Sequence, residues 1–208
     1  MRARWLLVAA AVGAGLAGFW LAQQLDRRGP QLASGTWLPQ ARDVPDLELT
    51  DSAGRPFSRR ELAGAPALVF FGFTHCPDVC PTTLLTLRQV LGRAALADLR
   101  VLFVSVDPQR DTPQVLATYV HAFDPRFLGL TAEPATIARL AAGFGVAVSR
   151  VELPGGDYTM DHSAVVFLVD RRARIVAVFT PPYAAAALAA DVARAAPYLG
   201  AAGTPRAP

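Results

Sequence analysis

The run His75-Cys76-Pro77-Asp78-Val79-Cys80-Pro81 holds both cysteines of this 208-residue chain, four positions apart. On one turn of helix such residues lie about 6 Å apart at Cα, near enough for a disulfide or for sharing one metal ion. A loop this short restrains the unfolded chain only weakly, which argues against a plain structural staple. With Pro81 in a first helical turn, Cys80 is expected at the N-cap. Free amides and the helix dipole there favour a thiolate. Thiolate is both the nucleophile of disulfide exchange and a soft metal ligand. Redox exchange and metal binding therefore both remain open.

Metal binding needs a further donor, and the candidates are His75, His121, His162, Met160 and Met1. His75 adjoins Cys76, and in an extended stretch its side chain points away from its neighbour's. His121 falls within an expected helix and reads as an ordinary, partly buried histidine. His162 is better placed: it follows the loop Pro154-Gly155-Gly156-Asp157 and immediately precedes an apolar strand, so the loop can swing it over the thiols. Two thiolates and one imidazole make a soft, low-coordinate site that suits copper, as Cu(I) or Cu(II). Zinc would want a fourth ligand, for which Asp161 or water could serve. Asp161 is expected beside the site, orienting His162 or facing a partner. Asp78, between the cysteines, is expected to tune charge or touch an acceptor.

The remaining chain must position these groups. Leu47–Leu49 followed by Asp51–Arg55 suggests a hairpin, and Ala67–Phe73 is an apolar run of central-strand length. Helical spacing predicts helices over Pro81–Ala97, Pro113–Phe123, Pro134–Phe144 and Ala184–Ala196. Thr112 caps the second of these and Gly145 stops the third. Strands are expected at Val101–Val106, Phe127–Leu130, Val146–Val151, Ala164–Val169 and Ile175–Phe179, the last two joined by the turn Asp170–Arg174. This is an α/β plan of thioredoxin type, with an N-terminal hairpin extension. Sites in such sheets form beyond the carboxyl ends of parallel strands, where Cys76 falls.

The chain is 52% hydrophobic and 18% charged, enough for a buried core. Its net charge of +3 comes from Arg2, Arg4, Arg27 and Arg28 against Asp26; everything after residue 28 is neutral overall. Nucleic-acid binding therefore has little electrostatic support. Trp5–Ala22 carries no charge, follows two arginines, and has Trp5 and Trp20 near its ends. At 1.5 Å per residue it reaches about 27 Å, enough for a transmembrane helix. An uncleaved signal-anchor is expected over residues 1–28, with a tether over 29–40 and a disordered tail over 199–208. Such an anchor puts the domain outside the cytoplasm, where thiols can oxidise.

Three stretches, Phe71–Thr82, Ser105–Pro113 and Tyr158–Ser163, together resemble the Sco/SenC family of copper-binding, membrane-anchored thioredoxin-fold proteins. The resemblance spans about residues 41–198. It implies that Cys76, Cys80 and His162 bind one copper. It implies a role in assembling the dinuclear copper centre of cytochrome c oxidase, by metal delivery, by reducing the acceptor's disulfide, or both, with a metallochaperone the expected reading over an enzyme. Its partners would be the copper-accepting oxidase subunit and other periplasmic copper chaperones or thiol reductants. The implied location is the inner membrane, with the domain facing the periplasm. The alternative is a thiol-disulfide oxidoreductase that reduces the acceptor's cysteines, using Cys76 and Cys80 but not necessarily His162. A copper or redox sensor also fits the residues. One departure stands out: Asp170-Arg171-Arg172-Ala173-Arg174 replaces the Asp-Pro-x-Gly turn common in relatives.

Overall fold

The computed structural model describes residues 12–20, 29–46, 48–94 and 96–200. Residues 12–20 are helical (α1), and no helix among the described residues is long and apolar enough to cross a membrane. Most of the expected anchor, the tail from residue 201 on, Leu47 and Met1 lie outside the described residues.

An eight-stranded sheet runs in the order β1-β10-β9-β4-β5-β6-β2-β3. Its centre is β4 (Ala67–Gly72), which pairs in parallel with β5 (Arg100–Ser105); β5 pairs in parallel with β6 (Leu128–Thr131). On the other side β9 (Val166–Val169) and β10 (Arg174–Phe179) form an antiparallel hairpin against β4. The expected N-terminal hairpin is present as β2 (Leu49–Asp51) and β3 (Pro56–Phe57), added to β6. Every residue of β4 is buried, as its unbroken apolar run requires. Its side chains alternate between two cores. Leu68 and Phe70 join α3 (Val79–Arg93), α4 (Pro113–His121) and α6 (Ala185–Ala195) on one face. Val69 and Phe71 meet α5 (Pro134–Phe144) on the other, with Leu62 of the short α2 (Arg59–Leu62). This is the thioredoxin-like arrangement expected from the order of elements.

Four expectations need correction. Helix α3 begins at Val79 with Asp78 as N-cap, two residues before the expected Pro81. Proline is tolerated there because the first-turn amides have no helical partner. Residues 35–40 are no tether: β1 (Gly35–Asp43) pairs with β10 at the sheet edge. The segment before it is fastened by Asp191, which accepts from Ala33 N (2.8 Å), Ser34 N (2.7 Å) and Ser34 Oγ (2.8 Å). Leu199 is fully buried in the core, so the tail does not begin there. The segment holding His162 is not a free loop but a second, two-stranded sheet. In it β7 (Val148–Glu152) pairs with β8 (Tyr158–His162). Gly155 and Gly156, both at positive φ, turn the chain back on itself.

The basic turn between β9 and β10 is largely internal. Asp170 is fully buried and accepts from the amides of Arg172 and Arg174 (2.9 Å each) and from Arg174 Nη2 (2.6 Å). Arg171 pairs with Asp98 and donates to the Gly64 carbonyl. Ala173 sits at φ 55°, a conformation that costs an L residue roughly 1–2 kcal/mol.

Candidate metal centre

The cysteines straddle the junction from β4 into α3. Cys80 is fully buried under α3, in the second position of its first turn, whereas Cys76 is half-buried in the preceding loop. Both are free thiols; no disulfide joins them. The amide of Cys80 donates to Cys76 Sγ at 3.4 Å, so the helix end serves Cys76 rather than Cys80 as expected. Burial first, then neighbouring Cys76 and Asp111, push the Cys80 thiol well above its ordinary 9.0. The N-cap expectation of an easily ionised Cys80 is therefore reversed: desolvation outweighs the helix dipole.

Close packing seats this sulfur. A Cβ at Gly72 would lie 2.8 Å from Cys80 Sγ and 2.6 Å from Phe103 Cε2, so the strand end has room only for glycine. Behind the loop, buried Asp111 accepts from Thr74 N (3.1 Å), Thr74 Oγ1 (2.6 Å) and Ser105 Oγ (2.6 Å). It ties the carboxyl ends of β4 and β5 to the loop that carries Cys76.

His162, the last residue of β8, places Nε2 3.7 Å from Cys80 Sγ across 82 residues of sequence. Its ring is edge-on to Phe70 (6.2 Å) and Phe73 (6.0 Å). Nδ1 lies 3.3 Å from the Ser163 carbonyl, which can only accept. The proton therefore belongs on Nδ1, and the lone pair of Nε2 faces the sulfur. Burial lowers His162 below its ordinary 6.5, opposed by the Ser163 carbonyl and by Asp161, so the ring is held neutral. Among the described residues, no three His, Cys, Asp or Glu side chains are already gathered closely enough to enclose an ion.

The other expected residues fall outside this cluster. Asp161 is exposed and acts on the ring through its charge; the carbonyl of Ser163, not Asp161, is the hydrogen-bond partner of the imidazole. Asp78 is exposed and accepts from Thr82 Oγ1 at 3.4 Å. His75 is exposed, with Nδ1 3.1 Å from Thr74 Oγ1, and His121 is exposed in the last turn of α4. Met160 packs toward the opposite core.

The hairpin that carries His162 is clamped at its far strand end. The ring of Tyr158 lies between two guanidinium groups, Arg110 Cζ at 3.8 Å and Arg150 Cζ at 3.7 Å from its centroid. Its hydroxyl donates to Asp107 Oδ1 at 2.8 Å, and Arg110 Nη1 donates to the Tyr158 carbonyl at 3.1 Å. The stretch Asp107–Pro113 is thus scaffold, as its turn and N-cap character suggests: Thr112 Oγ1 accepts from Val115 N at 3.3 Å. The clamp and the Asp111 network had no local signature in the sequence. Tyr158 and Arg150 meet Arg110 only through the tertiary fold.

Fold and site together define a thioredoxin-like domain with a dithiol at the end of its central strand and a neutral imidazole brought to it by a hairpin. Residues 38–197 match the SCO1/SenC family profile, and the chain belongs to that family. The mitochondrial protein SCO2 homolog of Bos taurus is 40% identical over 171 residues, 79% of this chain. The match spans 64% of that relative's length. The solved structure of Bradyrhizobium japonicum ScoI with copper bound is 40% identical, with a TM-score of 0.68 over 74% of this chain and 99% of its own. BsSco, a member of the Sco family of cytochrome c oxidase assembly proteins with an identified disulfide switch, is 25% identical. Its TM-score is 0.61 over 78% of this chain and 98% of its own.

Proposed function

We propose that this chain is a membrane-anchored copper metallochaperone. It receives one copper ion, Cu(I) or Cu(II), on Cys76, Cys80 and His162. It serves assembly of the dinuclear copper centre in a copper-accepting subunit of cytochrome c oxidase. The observation that carries the reading is the approach of His162 Nε2 to Cys80 Sγ at 3.7 Å, with the ring neutral and its other nitrogen occupied. The donor set fits a soft ion of low coordination number. Cys80 ionises poorly by itself, so capture of the ion displaces its proton. Cys76, in the loop, turns its sulfur from the Cys80 amide toward the ion. Release runs the same motions backward, aided by the position of His162 at a strand end rather than inside the main sheet. Family membership, the copper-bound relative and the oxidase-assembly relative support this reading. The apolar stretch Trp5–Ala22 supports an anchor in the inner membrane, with the domain in the periplasm among other copper chaperones or thiol reductants. The test is the His162→Ala full chain: copper retention falls and transfer to the acceptor changes, whereas unchanged affinity and spectrum remove His162 from the site.

A second reading rests on the unequal exposure of the thiols. Cys76 is reachable from solvent and Cys80 is buried behind it. In reduction of an acceptor disulfide, Cys76 as thiolate attacks one acceptor sulfur and expels the other as thiolate. Cys80 then attacks Cys76, leaving a Cys76–Cys80 disulfide and a reduced acceptor, a two-electron exchange. His162→Ala leaves acceptor reduction intact in that case.

A further inference from the structure

Between β8 and β9 the chain passes through Ser163, Ala164 and Val165. Ser163 is fixed on one side by Ala147, whose carbonyl accepts from Ser163 N (3.1 Å) and whose amide donates to Ser163 Oγ (3.2 Å). The Ser163 carbonyl accepts from Val165 N at 3.0 Å and lies 3.3 Å from His162 Nδ1. The amide of Val165 and the carbonyl of Ala164 belong to one peptide group, and Tyr183 Oη donates to that carbonyl at 2.6 Å. An unbroken run of hydrogen bonds thus leads from the Tyr183 hydroxyl, through the Ala164–Val165 peptide, to the Ser163 carbonyl and the imidazole. A peptide group is planar, so holding its oxygen aims its N–H. Donation to the oxygen also polarises the group and strengthens the bond that its N–H makes. Tyr183 itself stands between β10 and α6, half-buried against the core that holds Cys80. Burial pushes its hydroxyl above the ordinary 10.0, which keeps it a donor.

We propose that Tyr183 is a positioning residue for the copper site: through the Ala164–Val165 peptide it aims the Ser163 carbonyl at His162 Nδ1 and so keeps Nε2 turned toward Cys80. The second nitrogen of a metal-binding histidine is usually occupied in this way, because that bond fixes the tautomer and the orientation of the ring. Without the phenol, the Ala164 carbonyl loses its partner and the peptide is free to turn. The Ser163 carbonyl then no longer has a fixed direction, and the ring can carry its proton on either nitrogen. A ring protonated on Nε2 has no lone pair to offer there. Tyr183 lies outside the three stretches that carry the family resemblance, and it acts without being a ligand. This inference rests on the copper-binding reading above.

The experiment compares the full-length wild-type chain with Tyr183→Phe, which removes only the hydroxyl. A control, Leu199→Ala, opens a cavity in the same core beside the β9–β10 turn, where Arg171 N donates to the Leu199 carbonyl, and spares the run of hydrogen bonds. Three quantities are read: the thermal midpoint without metal, the ring-nitrogen NMR spectrum of metal-free His162 at about pH 8, where an ordinary histidine is neutral, and the Cu(I) affinity against a competing chelator. The wild type should show one tautomer, with the proton on Nδ1. Tyr183→Phe should show both tautomers and a Cu(I) affinity about fivefold weaker. Leu199→Ala should lower the midpoint and keep the wild-type ring spectrum and affinity. A wild-type ring spectrum or a wild-type affinity in Tyr183→Phe overturns the proposal while leaving the copper reading in place. Equal changes in Leu199→Ala also overturn it, since any loosening of the core would then suffice. Copper binding that His162→Ala leaves unchanged overturns the copper reading and this inference together.

Discussion

His162 carries its chemistry in a neutral form, and burial is what keeps it so. Its folded-state value lies below the ordinary 6.5, so the unfolded chain takes up this proton first as pH falls. The stability linked to this residue is whole above the unfolded value and is lost as pH drops through it toward the folded one. The metal-free chain should therefore lose stability as pH falls through the ordinary histidine value of 6.5. His162→Gln should flatten that part of the profile in urea titrations, and an equal slope in the two proteins would show that His162 is not the group responsible. The residue types at this site were legible in the sequence, because soft donors are rare and only His162 precedes a buried strand. The weak acidity of the Cys80 thiol was not legible. It depends on desolvation of Cys80 by Phe103, Gly72 and the helices above it, and that packing exists only once the sheet has formed.

At the scale of elements, the β7–β8 hairpin decides where the imidazole stands. Its grip is the Tyr158 ring between Arg110 and Arg150, with the hydroxyl on Asp107. Each such cation–π contact contributes about 0.5–1 kcal/mol at an exposed site. Tyr158→Ala should therefore open the hairpin locally without unfolding the main sheet. Amide exchange across β8 should quicken about tenfold while β4 and β5 stay protected, and copper affinity should fall with it. Uniformly faster exchange would mean that the clamp is part of the global core instead. Helices and buried strands could be read from their period; this hairpin could not be read as fully. Val148–Glu152 and Tyr158–His162 are largely polar, and none of their residues is fully buried. Gly155-Gly156 was the available signal, a turn pair between two segments of strand length.

Across the whole molecule, the domain begins earlier than composition suggests. Residues 29–34 lead into an edge strand, and the carboxylate of fully buried Asp191 holds them against α6. Despite its burial, hydrogen bonds from Ala33, Ser34 and Arg194 keep this carboxyl below its ordinary 3.8. Asp191→Ala should cost about 1–3 kcal/mol and expose the segment before Gly35 to protease. A variant as resistant as wild type would show that β1 alone fixes the N-terminal edge. Glycine, proline and polar residues made that stretch look like a tether. Only its register with β10 and a carboxylate 157 residues away give it structure.

The central claim is that two sulfurs and one ring nitrogen share a single copper. X-ray absorption on the full-length chain loaded anaerobically with one equivalent of Cu(I) tests this most directly. The account predicts a low-coordinate ion with scattering from two sulfurs and one histidine nitrogen, and loss of the nitrogen shell in His162→Ala. A spectrum without sulfur, or one unchanged by that substitution, would contradict it.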